Sequence, residues 1–173
     1  MPEFKFQIPP TPTEITAALI ETTADDILEN VLLNYVLSIQ KCAPESSASL
    51  PTALQAHYVA FLVDAEVLNG GFNQLFFNAP EVAAAAPDAF QYFGLEKAAS
   101  LARRACQLHE SVRPRLEAAR RDGTIEAFMD TYDESPFQVL DGLYAAAEGE
   151  FRDARLYFIR AHADEFLHPR REG

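Results

Sequence analysis

The sequence predicts an all-α protein: a single multi-helix domain over residues 1–173, with eight or nine helices around a buried central helix at about 50–68. Three observations carry this. Apolar residues recur at i, i+3 and i+4 along most of the chain, the spacing that lines one face of a helix. Cap and break residues punctuate it at helix-length intervals. Sustained period-two alternation and hairpin turns between β-branched runs are missing. A chain of 173 residues that is 49% apolar suits one domain, which at this size buries roughly 70% of the surface its unfolded form exposes.

The elements follow in order. Residues 1–12 read as an extended segment. Thr13 caps a short helix over 14–21. Thr23 with Asp26 approximates a capping box that opens a helix over about 24–42, where Ile27, Leu28, Val31, Leu32, Tyr35 and Ile39 repeat at helical spacing. "APESSAS" is a loop. Ser49 caps the next helix, about 50–68, which is apolar nearly all round and so belongs in the centre. Asn78 caps the next segment, and Pro87 starts a further helix that ends at Gly94. A basic helix spans about 95–112. Pro114 breaks it, and a short continuation ends at Gly123. Thr124 caps "IEAFMDTY". Ser135-Pro136 opens a helix that ends at Gly149. The last helix, about 150–168, stops before Pro169, and 169–173 is a frayed tail.

The stretch "NGGFNQLFFN" at 69–78 interrupts the longest apolar run. Adjacent glycines beside open backbone N–H groups suit an anion-binding loop. They also suit a joint. Gly70 takes the left-handed position after a helix, Gly71 lets the chain reverse, and Phe72, Phe76 and Phe77 enter the core. Asn69, Asn73 and Gln74 complete the motif, with the asparagines satisfying open backbone groups. The joint is the better fit.

Charge is the unusual property. The chain has 26 acids, 14 Lys and Arg, and a net of −12. Residues 97–121 carry seven bases and two acids, whereas 122–150 carry eight acids and no base. Such a balance argues against direct nucleic-acid binding and against anionic membranes. No signal peptide precedes the domain, and the most apolar run is too short to span a bilayer, so a cytoplasmic location is expected. Cys42 and Cys106 match no metal or redox spacing and read as small buried apolar residues.

Few residues suggest chemistry. Glu165 and His168 form a single Glu-x-x-His pair, and a di-iron site needs two such pairs and further carboxylates. His57, on the apolar helix, reads as a hydrogen-bonded core residue. Nucleophile-elbow, phosphate-loop and dinucleotide fingerprints do not occur. The expectation is therefore a protein with no enzymatic activity, no cofactor and no metal.

The segment "EVLNGGFNQLFFN" (66–78) resembles the signature of the bacterial family of DNA mimic protein 19, known as domain of unknown function 4375. "AFQYFGLEKAASL" (89–101), "VLDGLYAAAE" (139–148) and "LYFIRAHADEFL" (156–167) resemble later parts of the same pattern, so the likeness covers most of 25–168. The resemblance implies a helical fold with no known enzymatic activity. For the mimic branch it implies an acidic surface that occupies the DNA-binding face of a transcription regulator, typically a basic helix-turn-helix protein. Duplex DNA carries about one charge per 1.7 Å, so a 30 Å one-sided contact calls for on the order of eight or nine carboxylates. Candidates are Asp25, Asp26, Glu29, Glu126, Asp130, Asp133, Glu134, Asp141, Glu148 and Glu150. Asp130, Asp133 and Glu134 share one face if their segment is helical. Arginines between 103 and 121 could pair with these acids and cancel the field. The basic segment either packs against acidic helices of the same chain or joins two protomers in a homodimer. The alternatives are an immunity-type or antitoxin-type protein that blocks one basic effector, and a metal-dependent enzyme using Glu165 and His168.

Overall fold

The computed structural model describes residues 11–42 and 50–169. Its regular structure is helical: α1 (Ala17–Thr22), α2 (Asp25–Cys42), α3 (Thr52–Asn78), α4 (Pro80–Tyr92), α5 (Glu96–Asp122), α6 (Ile125–Asp130), α7 (Gln138–Ala145), α8 (Glu148–Ala161) and a 3-10 turn over Ala163–Phe166. An isolated antiparallel bridge joins Ile15 to His168. The all-α expectation holds. Residues 1–10, the "APESSAS" loop with its Ser49 cap, and the tail beyond 169 lie outside the described residues.

The chain falls into two compact units, one from Met1–Tyr58 with Phe158–Gly173 and one from Val59–Tyr157. In the first, Thr16 rather than Thr13 caps α1, its Oγ1 accepting from the Leu19 N–H at 3.1 Å. Such a cap is worth about 1 kcal/mol. Helix α2 buries Leu28, Val31, Leu32, Tyr35 and Val36, a face set by their spacing. The last helix ends at Ala161, seven residues earlier than the sequence suggests, and the 3-10 turn then buries Phe166. Ile15 and His168 exchange both backbone hydrogen bonds, at 2.9 and 3.0 Å.

Helix α3 is central along most but not all of its length. Ala53, Leu54, Ala56, His57, Ala60, Val63 and Val67 are buried, while Thr52, Gln55, Ala65 and Leu68 reach solvent. The helix does not stop at 68. It continues to Asn78 through a kink at Gly70 and Gly71.

In the second unit two prolines sit inside helices where the sequence suggests boundaries. Pro87 lies within α4 and Pro114 within α5. A proline has no N–H for the carbonyl four residues back. For Pro87 that carbonyl belongs to Ala83, and the Cys106 thiol of α5 donates to it at 3.5 Å. Cys106 is thus half-buried and occupied, not simply a small apolar filler, and burial pushes its thiol pKa up. Helices α4 and α5 pack on each other, and both bury alanines (Ala83, Ala86 and Ala89 in α4; Ala98, Ala99, Ala102 and Ala105 in α5), small side chains that permit close approach. Gly123 ends α5 in the left-handed conformation, as its position suggests.

Candidate functional site

The motif at 69–78 forms a clasp around the kink of α3. Gly71, not Gly70, takes the positive φ, at φ 72° and ψ −178°. This region is open almost only to glycine. A Cβ on Gly71 would lie 2.6–2.9 Å from the Asp141 carboxylate. A Cβ on Gly70 would crowd the Gln74 side chain and lie 2.7 Å from the Tyr132 hydroxyl, so those side chains would have to move.

The groups that the kink leaves without helical partners find others. Asp141 of α7 accepts from the Phe72 N–H at 2.8 Å, and Tyr132 donates to Gly70 O at 3.0 Å. Asn73, buried, donates to Thr131 Oγ1 at 2.7 Å. The Glu66 carboxylate, before the kink, accepts from Gln74 and Asn78, both after it, at 2.8 Å each. Asn78 therefore does not cap α4. That helix has Ala79 at its N-cap and no side-chain cap. Arg120 closes the end of α3 by donating to Phe76 O (2.9 Å) and Phe77 O (3.0 Å). Phe72 and Phe76 enter the core as expected, while Phe77 is half-buried between Phe128 and Arg120. Burial raises the Asp141 carboxyl above its ordinary range, partly opposed by the Phe72 N–H.

The suggested acidic residues separate into engaged and unengaged groups. Asp25 is ion-paired with Arg160 at 2.5 Å. That guanidinium also holds Thr23 O at 2.5 Å and Ile20 O, closing α1. Glu29 is not a surface acid. It is 4% exposed, and its carbonyl accepts from His57 Nε2 at 2.9 Å, the core hydrogen bond expected of that histidine. Asp141 belongs to the clasp. Glu150 pairs with Lys97 at 3.5 Å. Asp26, exposed, and Glu148, half-buried, have no ion pair among the described residues.

Glu126, Asp130, Asp133 and Glu134 are all exposed and likewise have no ion pair among the described residues. They do not share one helix. Helix α6 ends at Asp130, and a turn follows in which Glu134 adopts φ 55°. Arg115 holds that turn through its backbone, donating to Thr131 O (2.8 Å) and Asp133 O (2.5 Å). Arg103 and Arg113 of α5 engage their own helix: Arg103 with Glu96 at 3.7 Å, Arg113 with Glu110 at 3.1 Å and with Glu117 at 3.9 Å. Among the described residues none of these guanidinium groups forms an ion pair with the four carboxylates.

Two features escaped the sequence. Asp64, Tyr144 and Arg155 form a buried polar cluster, with Tyr144 Oη donating to Asp64 Oδ1 at 2.5 Å and Arg155 Nη2 to Oδ2 at 2.6 Å. Burial, then the Asp64 charge, pushes the Tyr144 pKa far up. A lone Asp in an apolar helix signals such a cluster, but 91 residues separate it from Arg155. The second feature is the solvent exposure of Ile125 and Met129 beside the acids.

The Glu165–His168 pair is not assembled. Glu165 accepts from His162 Nδ1 at 3.1 Å, while His168 Nδ1 meets the Tyr35 hydroxyl. Among the described residues no group of three or more His, Cys, Asp or Glu is placed to hold a metal ion, and no helix is long and apolar enough to cross a membrane.

A family model described as DMP19-like protein matches residues 48–162, which include the Gly-Gly clasp and the acidic stretch. No curated protein and no solved structure matches the chain. With about two thirds of its length under that model, and with the Asn-Gly-Gly-Phe-Asn-Gln motif building the kink of α3, the chain belongs to the DMP19-like protein family.

Proposed function

We propose that this protein is a non-enzymatic interaction protein that acts as a DNA mimic, offering carboxylates to the DNA-binding face of a basic protein such as a helix-turn-helix regulator. One observation carries the reading: Glu126, Asp130, Asp133 and Glu134 stay exposed and unpaired among the described residues, although the chain's most basic helix lies next to them in sequence. Arg115, which reaches the turn that carries Asp133 and Glu134, binds carbonyl oxygens instead. Family membership supports the same reading. Four carboxylates are about half of what a one-sided 30 Å contact requires. Glu81, Asp88, Glu148 and Asp153, also without ion pairs among the described residues, supply a similar number from the same unit.

The test is capture of DNA-binding proteins on the immobilised chain, followed by competition with duplex DNA. Duplex is expected to displace the captured protein, and raising salt to weaken capture. Replacing Glu126 and Glu134 by Gln and Asp130 and Asp133 by Asn should lower affinity roughly tenfold and flatten the salt dependence. Capture that duplex leaves untouched would sink the mimic reading. If the captured protein were then a nuclease or other toxin, blocking of a single effector would replace it.

A further inference from the structure

Helix α6 carries two exposed stripes side by side. Ile125 is 76% exposed and Met129 57%, and four residues apart they share a face. Glu126 and Asp130, each one position further on, form a second stripe about 100° round the helix. The helix is firmly seated. Thr124 Oγ1 accepts from the Ala127 N–H at 3.2 Å, and Phe128 packs on Phe77 (4.6 Å) and Tyr132 (5.4 Å). Acids alone suffice to imitate phosphates, so the apolar stripe is unexplained by charge mimicry.

We infer that α6 is a docking surface for a basic amphipathic helix of a partner protein. The partner's apolar stripe covers Ile125 and Met129. Lysines or arginines along its flank meet Glu126 and Asp130, and those beyond its end meet Asp133 and Glu134. Charge complementarity selects this occupant. A second copy docking α6 on α6 would set like charges against each other, and nucleic acid or an anionic membrane would be repelled. Val139 and Leu143 on α7 are also exposed, but Gln138 and Gly142 beside them give no charge that selects a partner. The inference rests on the reading above for the partner's being basic, and adds an apolar contact to it. Recognition helices that read thymine methyl groups carry both kinds of side chain.

The experiment titrates three synthetic helical peptides into the isotope-labelled full chain: lysine flanks with a leucine stripe, the same flanks with an alanine stripe, and the leucine stripe with glutamine flanks. The first should bind about tenfold tighter than either other peptide, shifting amides within 125–134. Ile125→Ser/Met129→Ser should weaken it by about tenfold with an unchanged helical circular dichroism spectrum. Glu126→Gln/Asp130→Asn should weaken it similarly and remove most of its salt dependence. Equal binding of the leucine and alanine peptides, shifts confined to other helices, or full affinity in the serine variant would overturn the inference. So would sedimentation showing a dimer that the serine variant dissolves. The two readings fail separately. If duplex fails to compete but the peptide pattern appears, mimicry falls and docking stands. If duplex competes and the captured protein binds the serine variant as tightly as wild type, docking falls and mimicry stands.

Discussion

Two polar stretches of the Val59–Tyr157 unit use their side chains in opposite ways. In Asn69–Asn78, the side-chain N–H groups of Asn73, Gln74 and Asn78 all have protein partners, as do Gly70 O, the Phe72 N–H, Phe76 O and Phe77 O, although Asn73 Oδ1 is buried without one. In 126–134, Thr131 and Tyr132 serve the clasp, but four carboxylates reach solvent with no ion pair among the described residues while a guanidinium holds the backbone of their turn. By composition the Gly-Gly stretch has the makings of an active site, and the acidic stretch those of a solvated connector. Whether polar capacity is used up inside the fold separates structure from function better than the residue types do.

That contrast breaks most visibly where polar groups are buried. Asp64→Ala leaves Arg155 buried without its carboxylate partner, and removing one member of such a pair costs about 3–5 kcal/mol. Urea unfolding should show it. A loss below ~1 kcal/mol would mean that water reaches the cluster. Gly71→Ala comes next, with both a forbidden φ and a contact into the Asp141 carboxylate. It should cost about 1–3 kcal/mol, and pairing it with Asp141→Ala should relieve part of that loss in a double-mutant cycle. Neutralising Glu126 and Asp130 should change stability by no more than about 0.5 kcal/mol, while binding of a basic partner falls. A large destabilisation would place these acids with the clasp and erase the contrast.

The smallest effect concerns His109, which stacks on Phe76 at 4.1 Å. Burial lowers its pKa below the ordinary value of 6.5. The unfolded chain then binds the proton more readily than the folded one. The stability this histidine contributes is complete above pH 6.5 and is lost as pH falls through the depressed value. In His109→Gln the melting temperature should therefore fall less than in wild type between pH 7.5 and 5.5. Parallel curves would show that the stack does not discriminate against the imidazolium.

Local features of the sequence are readable wherever local chemistry decides. Thr124 caps α6 and Gly123 ends α5, because a hydroxyl and a Cβ-free residue act on their own neighbours. The prolines mislead for the complementary reason. Pro87 is a break by its own chemistry, yet it sits within α4, where a thiol from another helix meets the carbonyl it leaves without an N–H. The left-handed residue is Gly71, one position later than the end of an apolar run suggests. Asn78 has the chemistry of a cap, and nothing local reveals that Glu66 claims it across the kink. In the acidic surface, Glu29 is lost to burial, Asp25 to Arg160 far along the chain, and Asp141 to Phe72. What stays legible are the acids whose charge no distant residue claims.

The pairing of Arg160 with Thr23 and Asp25, and of His168 with Ile15, also sets an order of events. Arg160 stands 135 residues beyond Asp25, whereas residues 59–157 form their unit from one continuous stretch. At a synthesis rate of about 5–20 residues per second, α1 and the start of α2 leave the ribosome on the order of ten seconds before Arg160 arrives to close them. For the whole of that interval the first unit waits for its closing arginine, which is made only after the last residue of the second unit. A chain stalled before residue 160 would leave α1 and the start of α2 without the guanidinium that holds Ile20 O, Thr23 O and the Asp25 carboxylate.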